Sequence, residues 1–95
     1  MPFDDGRTTV TTAGTRVPLS TTQTRVDWVL VIALTSNTGQ VNVGDVGVVA
    51  ATGSTERGVP LLAGDSVRLG DVDLSTTYID SRVSGEGVTY LYGSD

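Results

Sequence analysis

The alternation of apolar and polar residues divides this chain into short extended segments, and no window sustains a 3.6-residue apolar period. The strongest segment is residues 25–35, RVDWVLVIALT. One parity carries Val26, Trp28, Leu30, Ile32 and Leu34; the other carries Asp27, Val29, Val31 and Ala33. Both sides are mainly apolar, the pattern of a strand covered on both faces or turned toward a protein partner. In a two-layer sandwich this predicts that a second apolar face, assigned to Val29 and Val31, meets another subunit.

Asn37-Thr38-Gly39 reads as a hairpin loop with Gly39 at positive φ, and residues 40–44 as the returning strand, with Val41 and Val43 on one side. Residues 46–50 extend the apolar pattern after a Gly44-Asp45 corner, and residues 51–57 form a small polar loop. Residues 58–70, GVPLLAGDSVRLG, place glycines at 58, 64 and 70. A phosphate loop would need a following helix and usually a lysine, and a hexapeptide solenoid would need the spacing to continue. Neither condition holds. Turn chemistry remains: Pro60 sets an extended entry for Leu61 and Leu62, Ala63-Gly64-Asp65 turns, and residues 66–69 return with Val67 and Leu69 inward, as a hairpin. Residues 71–75 connect onward.

In residues 77–83, Ile79, Ser81 and Val83 alternate with Tyr78, Asp80 and Arg82. Residues 84–87 turn, and residues 88–92 put Val88, Tyr90 and Tyr92 on one face. Seven or eight short strands at this spacing predict an all-β domain, a small antiparallel β-sandwich or jelly roll.

Residues 1–24 contain few large apolar groups. The first six are acidic and turn-like, while Val10 and Val17-Pro18-Leu19 can each pin a short edge strand; Pro18 lacks the donor a central strand requires. Two readings stay open: a frayed arm with one edge strand, or an extended arm that orders on a neighbouring subunit. The expected division is an N-terminal arm over residues 1–24 and a β-sandwich over residues 25–95. Candidate contacts with partners or sister subunits are Arg7, Val10, Arg16, Val17 and Leu19 on the arm, Val29 and Val31 on the long strand, and Tyr90 and Tyr92 near the end.

Composition reinforces the β reading, since valine and threonine each occur fifteen times in 95 residues and suit a pleated, half-buried surface. The length is that of one domain. Cysteine, histidine and lysine are all absent, which excludes disulfides, thiolate or imidazole metal sites, and Schiff-base chemistry. A net charge of −5, with six arginines scattered along the chain, argues against a nucleic-acid partner. No apolar run approaches the roughly 18–20 residues of a membrane span, and no signal-peptide pattern opens the chain. A soluble domain, used inside the cell that makes it, is expected.

Catalysis would fall on carboxylates such as Asp71, Asp73, Asp80 and Glu86, but a small sandwich leaves little room for a sugar-binding cleft between two of them. The expectation is no enzyme, no cofactor and no metal. Two weaker alternatives are Asp71 and Asp73 joining Asp65 or Asp45 around calcium, without the usual loop, and Tyr90 with Tyr92 as a glycan platform. Packing of those tyrosines at a sheet end or interface suits their amphipathic rings better.

Three stretches together, WVLVIAL followed by NTGQVNVG, then GVPLLAGDSVRL, then DLSTTYIDSRVSGEGVTYLYG, resemble small proteins encoded among the structural genes of tailed bacteriophages. The resemblance spans residues 28–93 and points to the decoration (cement) proteins of phage heads. It implies a small sandwich or jelly roll, often trimeric, seated on the capsid lattice, with no catalytic residues and an N-terminal part that reaches across neighbouring capsid subunits. By that resemblance the chain is a virion structural protein that binds the major capsid protein and stabilises the head, self-associates as a homotrimer, and is made in the bacterial cytoplasm. A tail, baseplate or head-fibre module and a carbohydrate-binding or adhesion module are the alternatives.

Overall fold

Proline cannot donate to a sheet ladder, and Pro18 and Pro60 accordingly lie on opposite outer strands of the same sheet. The computed structural model describes residues 3–50 and 56–93. They form β1 (Phe3–Val10), β2 (Val17–Pro18), β3 (Arg25–Ala33), β4 (Val41–Gly44), β5 (Val59–Leu61), β6 (Ser66–Asp73), β7 (Tyr78–Ser81) and β8 (Glu86–Gly93). One sheet has the order β1-β8-β3-β6 and the other β2-β7-β4-β5.

All observed pairs are antiparallel, and β1 with β8, β2 with β7, β3 with β6 and β4 with β5 are all among them. That nesting of first with last is a long hairpin rolled into two layers, the winding of a jelly roll. The described residues therefore form an all-β sandwich of eight strands.

This winding corrects two local expectations. Residues 25–44 are not a hairpin: β3 belongs to the first sheet and β4 to the second. The Asn37-Thr38-Gly39 segment carries the chain between layers because its donors are taken by β8. The Asn37 side-chain amide donates to the Gly87 carbonyl at 2.8 Å, and the Thr38 and Gly39 amides donate to the Glu86 carboxylate at 2.7 and 2.9 Å. Gly39 does not sit at positive φ. Its role is close approach, since a Cβ there would lie 2.7 Å from a Val83 methyl.

The GVPLLAGDSVRLG stretch likewise crosses from β5 in the second sheet to β6 in the first. Its turn is as expected: Gly64 has φ +84, and Asp65 donates its amide to the Leu62 carbonyl at 2.9 Å. The turn is held by β3 instead of by a hairpin partner. Ala33 donates to the Asp65 carbonyl and Gly64 donates to the Ala33 carbonyl. Val67 and Leu69 pack on the core.

The N-terminal segment is part of the sandwich. β1 pairs with β8 along its whole length, from Phe3 opposite Gly93 to Val10 opposite Glu86, and β2 supplies an edge of the second sheet. Val10 and Leu19 are core residues. Phe3 to Gly6, read as a turn, are strand. The expected strand over residues 46–50 reduces to one bridge, Val49 with Arg57, and the loop read at 51–57 lies mostly outside the described residues. The connector read at 71–75 is in part strand, because β6 runs on to Asp73.

Between the layers, Val29, Val31 and Ala33 of β3 and Val88 and Tyr90 of β8 meet Val41, Val43, Leu61 and Ile79 of the second sheet. Val26 joins them although its parity is that of Trp28. The reason lies at Asp27 and Asp71. The β3–β6 register opposes Val26 to Val72 and Trp28 to Gly70, and between them Asp71 adopts φ +53. The irregularity turns Val26 and Val72 inward.

Candidate functional site

The site follows from which side of β3 faces out. Val29 and Val31 are fully buried, so the assignment of these two to a partner surface is corrected: their side is the core. Small valines fit there because Tyr90 and Tyr92, on the neighbouring strand, fill the layer; Val31 stands opposite Tyr90 and Val29 opposite Tyr92. The two rings stack with centroids 5.9 Å apart.

The outward side therefore carries the larger residues Trp28, Leu30 and Ile32, joined across the register by Leu91 of β8. All four are half-buried. Trp28 lies over Gly93, where a Cβ would approach its ring to 2.9 Å. Register extends this face to Phe3, Asp5 and Arg7 on β1 and to Ser66, Arg68 and Gly70 on β6. Phe3 is 69% exposed.

Hydrogen bonds place the connections elsewhere. The turn after β1 reaches the second sheet, where Gly14 donates to Asp80, and the segment before β3 is tied to Asp73 through Thr24. The outer side of the second sheet is covered, because the residues after β4 fold back over it. There Ala50 donates to Asp80 at 3.0 Å, and Val48 is buried against Gly44 and Gly58. Among the described residues, nothing comparable overlies Trp28, Leu30 and Ile32.

The remaining proposed contacts divide. Val10, Leu19 and Tyr90 are buried in the chain's own core and are corrected out of any interface; the β1 and β2 edges fold onto the sandwich and carry them inward. Tyr90 is no platform either, because its hydroxyl donates to the Leu19 carbonyl at 3.0 Å. Val17 and Tyr92 are half-buried against the core. Burial, and then the negative charge of Asp4 opposite it, raise the Tyr92 hydroxyl above its ordinary pKa. Arg7 and Arg16 are exposed, Arg7 on the open face.

The carboxylates considered for chemistry hold the chain's own turns. Asp80 is buried and accepts the amides of Gly14, Ala50 and Ser81 at 3.1, 3.0 and 2.9 Å. Asp73 accepts the Ser75 hydroxyl and amide and the Thr24 amide, which together hold its carboxyl below the ordinary value. The Thr38 and Gly39 amides do the same for Glu86. Asp45 accepts the Gly47 amide and Asp65 the Leu62 amide. Asp71 pairs with Arg25 at 2.9 Å, both side chains largely exposed, a contact worth about 0–1 kcal/mol. No metal-holding group of three or more carboxylates occurs among the described residues. A cleft of about 520 Å³ opens at one end of the sandwich between Val43, Val59, Leu69 and Val72, rimmed by the Arg25–Asp71 pair.

A second polar cluster lies on the outer side of the second sheet. Buried Asn42 donates to the Arg57 carbonyl at 3.1 Å, Gln40 bridges Asn42 and Glu56, and Arg82 reaches Glu56 at 3.6 Å. It fastens the β4–β5 excursion to the sheet.

No family model, curated protein or solved structure matches this chain.

Proposed function

We propose that the chain is a non-enzymatic structural protein of a tailed-phage virion, a decoration protein that binds the major capsid protein lattice and stabilises the head. The observation that carries this reading is the apolar outer face around Trp28, Leu30 and Ile32, which no described segment covers. A small domain that leaves such a face open is suited to contact. The resemblance over residues 28–93 supports the same reading.

The carboxylates fit it as well, being spent on turns and layer crossings. β1 offers a further means of attachment. It is an outer strand with one side paired to β8, and its other edge can take up a strand from a lattice subunit. Many such contacts, repeated at every copy, favour the closed shell even when each is modest.

The test is to locate the protein by cryo-electron microscopy in virions grown from the genome that encodes it. Density for the sandwich on the outer capsid surface is expected. Density confined to the tail or baseplate, or virions lacking the protein, would overturn the reading.

A further inference from the structure

The open face has a charge pattern that names its occupant. Register places Asp5 opposite Leu91, Leu91 opposite Leu30, and Leu30 opposite Arg68. The four residues form one row across the first sheet, acidic at the β1 end, apolar in the middle and basic at the β6 end. Asp5 and Arg68 are exposed and belong to neither described ion pair. The row before it reads Phe3, Gly93, Trp28, Gly70, and the row after it Arg7, Thr89, Ile32, Ser66.

We infer that this face is an interface between two copies of the chain, related by a twofold axis parallel to the strands and passing between Leu30 and Leu91. That operation lays β1 of each copy over β6 of the other. Asp5 then meets Arg68 of the second copy, twice by symmetry, and the central leucines meet across the axis. In the adjacent row Phe3 stands over Gly70 of the second copy, and the two Trp28 rings, each lying over its own Gly93, meet near the axis. A twofold axis perpendicular to the strands would instead set Asp5 against Asp5 and Arg68 against Arg68. For this row charge favours the axis parallel to the strands.

The size of the face sets the strength. All four strands run side by side over five rows, from Phe3–Gly93–Trp28–Gly70 to Arg7–Thr89–Ile32–Ser66; at about 3.3 Å per residue and about 4.8 Å between strands they make a face of about 300 Å². Two such faces make a contact of about 600 Å², the size of a weak, reversible association. Face-to-face sheets align within about 30°, so an arginine near the edge still reaches its partner. The inference concerns the free protein and does not depend on the capsid reading; on a capsid the second copy would give way to a lattice subunit at this face.

Sedimentation equilibrium on the full chain tests it, with circular dichroism to confirm that each variant is folded. The wild type should pass from monomer to dimer as its concentration rises. Arg68→Asp, which sets acid against acid at both ends of the row, should weaken association by about tenfold or more. The exchange Asp5→Arg with Arg68→Asp should restore it. Leu30→Glu should give a folded monomer. A monomer at every concentration, a trimer, or a dimer indifferent to both Leu30→Glu and Arg68→Asp would overturn the inference. Should Leu30→Glu fail to fold, the charge exchange alone decides: no loss with Arg68→Asp, or no recovery in the double variant, would overturn it.

Discussion

Glu86 and Thr38 lie 48 residues apart in sequence, yet the Thr38 amide donates to the Glu86 carboxylate at 2.7 Å. With the Gly39 amide, this bond turns what would be a hairpin loop into a crossing between sheets. It also makes the fold sensitive to acid. Both Glu86 and Asp73 are held below their ordinary pKa, Glu86 by the Thr38 and Gly39 amides and Asp73 chiefly by Ser75. A depressed folded pKa stabilises the fold above the unfolded pKa, and that stability is lost as pH falls through the folded value. Thermal midpoints should therefore be level above about pH 6 and fall below about pH 4. Glu86→Gln should lower the midpoint at neutral pH and shrink the drop on the acid side. An unchanged acid limb in that variant would show that the carboxylate does not hold the crossing.

Asp80 should be the costliest carboxylate to remove. It is buried, and its loss strands the amides of Gly14, Ala50 and Ser81. Hydrogen bonds to a charged group are worth about 1.5–3 kcal/mol each and are not additive, so Asp80→Ala should cost about 3–5 kcal/mol. That is much of the stability of a domain this size. Urea unfolding measures it, and a cost below about 1 kcal/mol would contradict the assigned role.

The glycines of the GVPLLAGDSVRLG stretch should separate sharply. Gly58 has φ +98, and a Cβ there would lie 2.7 Å from the Val43 carbonyl oxygen. Gly64 has φ +84 with open space around it. Gly64→Ala should cost about 1–2 kcal/mol, the left-handed backbone alone. Gly58→Ala should cost more than this, because backbone must move as well. Equal midpoints in urea would refute the distinction.

The two sides of β3 should respond differently in dilute protein. Val31→Ala opens space in the core and should cost about 2 kcal/mol. Leu30→Ala removes more carbon from the outer face but should cost less than about 1 kcal/mol. A larger loss at Leu30 than at Val31 would mean the faces are assigned the wrong way round.

Much of this architecture is legible along the chain. The alternation in residues 25–35 marks the long strand, Pro18 marks an edge, and Val88, Tyr90 and Tyr92 share the predicted face. Pairing is less legible. Asn37-Thr38-Gly39 and Ala63-Gly64-Asp65 each carry ordinary hairpin chemistry, and their conversion into crossings depends on Glu86 and Ala33, residues distant in sequence. The sidedness of residues 25–35 is ambiguous for a related reason. Both parities are apolar, and only the tyrosines of β8 decide that the small valines go inside. A signal was present in side-chain size: Trp, Leu and Ile on one parity, Val, Val and Ala on the other.

The face bearing Trp28 is proposed to meet a second copy of the chain, and Trp28 is the chain's single tryptophan. Its fluorescence reports that face alone. Acrylamide quenching of Trp28 should be strong in dilute protein and fall severalfold as concentration rises, while Leu30→Glu keeps the dilute value throughout. Quenching that is the same in dilute and concentrated wild-type protein would contradict the claim.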